Sequence, residues 1–117
     1  MIMVTSTEMY DTAIAMHERG QLDEAISKLK ELLAHEETYA LAHAALSVFY
    51  SRLERHDEAI EHAQRVCDLE PDDPFSFIAM SLLCQKAGRI PEAERALMEA
   101  RRAQYSSADR QEPDESP

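Results

Sequence analysis

Apolar residues recur at three-and-four spacing along most of the chain, and this helical rhythm is broken at a few short places. It predicts helices over 6–19, 22–35, 40–54, 57–69, 74–87 and 91–105. The breaks carry the residues that helix ends need. Gly20 and Gly88 fall between helices, where a left-handed C-terminal position suits glycine, and Pro91 suits the first turn of the helix that follows. Glu70-Pro71-Asp72-Asp73-Pro74 stops the fourth helix and starts the fifth, with Asp73 as N-cap. Thr5 with Glu8 has the spacing of a capping box for the first helix.

The helices come in repeating pairs. Asp23-Glu24-Ala25-Ile26 returns as Asp57-Glu58-Ala59-Ile60, and Pro91-Glu92-Ala93-Glu94 follows at the same interval, so Ala25, Ala59 and Ala93 stand 34 residues apart. Small residues keep this register at Ala13, Ser47 and Ser81, and larger ones at Met16, Tyr50 and Cys84, while Leu29, Ala63 and Leu97 mark one position of the second helices. Three units result, 6–39, 40–73 and 74–107, with a segment 1–5 before them and an acidic tail 108–117 after. The tail is nearly devoid of apolar residues and is expected to be disordered.

A 34-residue helix-turn-helix unit with small, large and alanine positions in this order resembles the tetratricopeptide repeat family. The resemblance spans about residues 6–107 and includes the glycine turns, the central alanines and the closing Pro71. It implies an all-α fold of three stacked hairpins forming a short right-handed superhelix. In such an array one hairpin cannot bury its faces alone, so layers between hairpins must be filled, here by Leu29, Leu32, Leu46, Phe49, Tyr50 and Ile60. The third unit departs from the others by placing Glu94 and Arg101 where the first two have Ile26, Ile60, Leu33 and Cys67. Burying those charges under another hairpin would be costly, and the last helix is expected to cap the array with a polar outer face.

The same resemblance implies a function. In the family, the first helix of every hairpin lines a concave surface that holds a peptide or helix of another protein. Carried onto this chain, that surface comprises Tyr10 and Ile14 from the first unit, Leu41, Ala45 and Val48 from the second, and Phe75, Ile78 and Leu82 from the third. Arg52 and Lys86 follow one turn further along the same faces and could meet a carboxylate. A largely apolar surface fits an apolar peptide or amphipathic helix, or else a second copy of the chain in a homodimer. One well-known mode of the family clamps the C-terminal carboxylate of heat-shock chaperones with Lys, Asn and Arg. Here Tyr10, Ile14, Ala45, Phe75 and Ala79 stand at those places, so binding of that acidic tail is not expected.

Composition narrows the remaining classes. With 23 acidic and 12 basic residues the net charge is −11, which repels nucleic acid and anionic lipid. No stretch approaches the roughly 20 apolar residues of a membrane-spanning helix, and Met1-Ile2-Met3-Val4-Thr5 has no basic start, so a soluble cytoplasmic protein is expected. Cys67 and Cys84 lie in apolar helical segments and are expected to be reduced core thiols. Five histidines are scattered without a zinc-binding spacing, and two glycines cannot build a phosphate loop or a nucleophile elbow. No enzyme activity, metal or cofactor is expected, and the anticipated partner is another protein.

Overall fold

In a computed structural model, which describes residues 4–111, six helices follow one another in the expected order. They are α1 (Ser6–Glu18), α2 (Leu22–His35), α3 (Ala40–Arg52), α4 (His56–Leu69), α5 (Pro74–Lys86) and α6 (Ile90–Gln111), with no strand among the described residues. The first five begin and end within about two residues of the positions that spacing predicts. The sixth departs. It is 22 residues long and runs to Gln111, because the polar residues after Tyr105 include neither glycine nor proline until Pro113. Residues 108–111 of the expected tail therefore continue α6, while 112–117 and residues 1–3 lie outside the described residues.

The predicted caps form. The Thr5 side chain accepts a hydrogen bond from the Glu8 amide at 3.1 Å, and Asp73 accepts from the Phe75 amide at 3.0 Å with Pro74 in the first turn. At the other ends, α1 and α5 close on Gly20 and Gly88, whose φ angles are 80° and 78°. The Gly20 amide donates to the His17 carbonyl and the Gln21 amide to that of Met16, each at 2.9 Å. Gly88 and Arg89 repeat the pattern on Gln85 and Cys84, at 3.0 and 2.7 Å. Carbonyls that a helix end leaves without partners are satisfied in this way. The turn after α3 has the same bonds, Glu54 to Ser51 at 3.0 Å and Arg55 to Tyr50 at 2.9 Å, but its left-handed residue is Glu54, with φ 58°.

The chain divides into two compact units, Met1–Val66 and Cys67–Pro117. In the first, α1 packs on α2 and α2 on α3. Ala13 and Ala25 are fully buried, so the helices approach closely, while Leu29, Leu32, Leu46, Phe49 and Tyr50 fill the space between layers. Arg65 of α4 holds the α2–α3 connection through a two-pronged ion pair with Glu37, at 2.6 and 2.5 Å. In the second unit α5 packs on α6. Its interior is built from smaller groups: Ala93, Ala96, Ala100 and Ala103 from α6, with Met80, Ser81 and Cys84 from α5. Both cysteines are free and buried there, and the Cys67 thiol, which donates to the Ser76 carbonyl at 3.4 Å, is pushed by burial up to about 12.

Candidate functional site

The sequence-predicted partner residues divide into those that hold the fold and those that face solvent. In the first unit Tyr10, Ile14 and Ala45 are only partly exposed and pack against the core, and the Tyr10 ring meets Tyr39 at a centroid distance of 6.0 Å. Burial raises the Tyr10 phenol above its usual range. Leu41 and Val48 point outward from α3, two turns apart on one stripe. Arg52, at the end of that stripe, is hydrogen-bonded to His17 of α1, whose ring stacks on Phe49 at 4.5 Å. Its guanidinium thus joins α1 to α3 and is not a bare charge awaiting a ligand.

In the second unit the predicted apolar residues face solvent. Phe75, Ile78 and Leu82 of α5 are 74%, 39% and 60% exposed, and Lys86 is exposed beyond them. At i, i+3, i+7 and i+11 they share one face, while the opposite side of α5 buries Ser76, Met80, Ser81 and Cys84 against the interior. The only Asp, Glu, Lys or Arg side chains on α3 and α5 are Arg52 and Lys86 in their last turns, where a cation complements the helix dipole. None of the acidic residues that give the chain its charge lies on α3 or α5.

Histidines that look scattered in sequence meet in space. His43 is buried, and its Nε2 donates to the Glu37 carbonyl at 2.8 Å. A carbonyl can only accept, so the neutral ring keeps Nδ1 as an acceptor, and His62 Nδ1, 3.0 Å away, is the donor. His62 also stacks on Tyr50 at 5.6 Å. Burial and the neighbouring His43 hold His62 below the usual imidazole range. Their separation of 19 residues hides this pair from any helix-periodic search. The concavity lined by Val4, Ser6, Met9, Lys28, Glu31 and His35, about 380 Å³, contains none of the predicted partner residues. Among the described residues no group of three or more His, Cys, Asp or Glu side chains is placed to hold a metal ion, and no helix is long and apolar enough to cross a membrane.

The hairpin turns, buried alanines and exposed first-helix faces agree with a match of residues 16–74, half of the chain, to a family model described as tetratricopeptide repeat. The chain belongs to the tetratricopeptide repeat family. Solved tetratricopeptide-like structures share the fold at low identity. MamA is 22% identical with a TM-score of 0.81, covering 90% of this chain, which in turn spans 61% of the MamA chain's length. The second tetratricopeptide domain of Spaghetti (RPAP3), bound to the HSP90 peptide SRMEEVD, is 17% identical with a TM-score of 0.73, covering 82% of this chain and 89% of its own. The Yersinia enterocolitica type III secretion translocator chaperone SycD, in an alternative dimer, is 15% identical with a TM-score of 0.75, covering 89% and 79%. No curated protein sequence matches significantly.

Proposed function

We propose that this chain is a cytoplasmic protein-interaction module, adaptor or chaperone-like, that binds an apolar peptide or amphipathic helix of another protein on the outward faces of its first helices. The observation that carries the reading is the α5 stripe of Phe75, Ile78 and Leu82, three large apolar side chains held in water on one face of a helix. A soluble protein seldom exposes such a contiguous patch unless a partner covers it. Leu41 and Val48 repeat the feature on α3. The partner segment is expected to read as apolar anchors at helical spacing. Binding here requires no catalytic group, metal or cofactor. Self-association through the same faces, as a homodimeric structural subunit, is the alternative, since an apolar stripe suits either occupant.

The test compares the native chain with a Phe75→Asp, Leu82→Asp variant in quantitative affinity capture, followed by light scattering on both. Because these side chains are exposed, the variant should keep its helicity. Proteins captured by the native chain and lost by the variant identify the partner. If no protein distinguishes the two and the mass at a given concentration is the same in both, the reading fails. A dimer that the variant converts to monomer supports the homodimer instead.

A further inference from the structure

The outward face of α6 is not the polar cap that Glu94 and Arg101 alone suggest. Ile90, Leu97, Met98 and Tyr105 are 50%, 40%, 66% and 75% exposed. At 100° per residue, these four and the exposed Glu94 and Arg101 fall within a sector of about 100°. The inward face carries Ala93, Ala96, Ala100 and Ala103, so α6 turns its smallest side chains to its own unit and its largest apolar ones to solvent.

The order of residues on this stripe is self-complementary. About a point midway between Leu97 and Met98, Leu97 mirrors Met98, Glu94 mirrors Arg101, and Ile90 mirrors Tyr105. We propose that α6 pairs antiparallel with α6 of a second copy of this chain, about a twofold axis through that point. Such an isologous contact places residue i of one copy against j of the other, and j against i. With a rise of 1.5 Å per residue, Leu97 and Met98 meet at the axis, the Glu94–Arg101 contacts fall about 5 Å to either side, and Ile90 meets Tyr105 about 11 Å out. Every apolar residue of the stripe gains an apolar neighbour, and both charges gain opposite ones.

Other occupants fit less well. A further hairpin of the same repeat would present an apolar first-helix face and leave Glu94 and Arg101 buried without partners. A parallel pairing would set Glu94 against Glu94 and Arg101 against Arg101, which the charges forbid. The ion pairs within α6, Glu92 with Arg95 at 3.4 Å and Glu99 with Arg102 at 2.8 Å, lie outside the sector and need not break. One helix face per copy makes a small interface, so the dimer should be weak, with a dissociation constant on the order of 1–100 µM.

Sedimentation equilibrium of the full chain across a concentration series tests this. The expected mass rises from 13.3 kDa towards twice that value. Glu94→Arg and Arg101→Glu, made singly, each place like charges at both contacts and should weaken association about tenfold or more. Mixing the two single variants, or combining them in one chain, restores opposite charges and should restore the dimer. Constant monomer mass up to about 0.5 mM overturns the proposal. So does a dimer that both single variants leave intact, or one that Phe75→Asp, Leu82→Asp dissociates while the charge reversals do not.

Discussion

Gly20 and Glu54 occupy the same turn of successive hairpins, 34 residues apart, and share a left-handed backbone, with φ of 80° and 58°. Glycine adopts that conformation without steric cost, whereas a side chain there costs roughly 1–2 kcal/mol. The turn bonds that close α1 and α3 are the same in both places, so the repeat imposes the geometry and Glu54 tolerates it. Part of the cost is offset because glycine also loosens the unfolded chain. Glu54→Gly is expected to raise stability by ~1 kcal/mol in urea unfolding. Gly20→Ala and Gly88→Ala should each lose about as much, purely through backbone strain, since an added Cβ meets nothing within 4 Å at either site.

The 34-residue register made most of the fold legible, because hairpin turns, buried alanines and helix caps are local features repeated at one interval. Glu54 was hidden because left-handed backbone is read from glycine, and here the repeat's geometry overrode the residue. The α6 face was misjudged for a related reason. Comparing Glu94 and Arg101 with Ile26 and Leu33 registers the gain of charge, but the same helix keeps Leu97 and Met98 outward once alanines have satisfied its inner side. For the partner surface, periodicity found the exposed Phe75, Ile78 and Leu82, yet could not tell them from Tyr10 and Ile14, which pack on the core. That distinction depends on which neighbours cover each stripe, a tertiary fact.

Ser81 occupies the small position that Ala13 fills in the first hairpin and Ser47 in the second. The Ser47 hydroxyl donates to the Ala44 carbonyl at 2.7 Å, while the Ser81 hydroxyl is buried without a hydrogen-bond partner. A buried hydroxyl in that state costs about 1–3 kcal/mol relative to a satisfied one. Ser81→Ala removes it while leaving a residue the repeat already uses at this place. Thermal and urea unfolding should show a gain of about 1 kcal/mol, and a loss of that size would mean the hydroxyl is satisfied in solution.

The His43–His62 pair makes stability depend on acidity. His62 is held below its ordinary value of 6.5 by burial and by His43, with Lys30 opposing the charge and Glu58 and Glu61 favouring it. The unfolded chain therefore binds a proton first as pH falls, and the contribution present above pH 6.5 is lost below it. His62→Asn keeps a donor near the Nδ1 position and removes the titration. Denaturant unfolding at a series of pH values from 7.5 to 5 should show a smaller decline for this variant than for the native chain.

The chaperone-tail mode seen in the RPAP3 domain separates fold from ligand. That domain is bound to the HSP90 peptide SRMEEVD, whose end is acidic. By the family resemblance, Tyr10, Ile14, Ala45, Phe75 and Ala79 are expected at the carboxylate-clamp positions, and none of them carries a positive charge or an amide donor on its side chain. Arg52, the nearest guanidinium on α3, is engaged with His17. With a net charge of −11 the chain also repels an acidic peptide at long range, more so at low salt. Isothermal titration with SRMEEVD is expected to show no binding at micromolar concentrations. An amphipathic helical peptide with apolar residues at i, i+3 and i+7 should bind to the α5 face and be lost on Phe75→Asp, Leu82→Asp. Micromolar affinity for SRMEEVD that this substitution abolishes would place the acidic ligand on the first-helix faces and overturn their assignment to apolar partners.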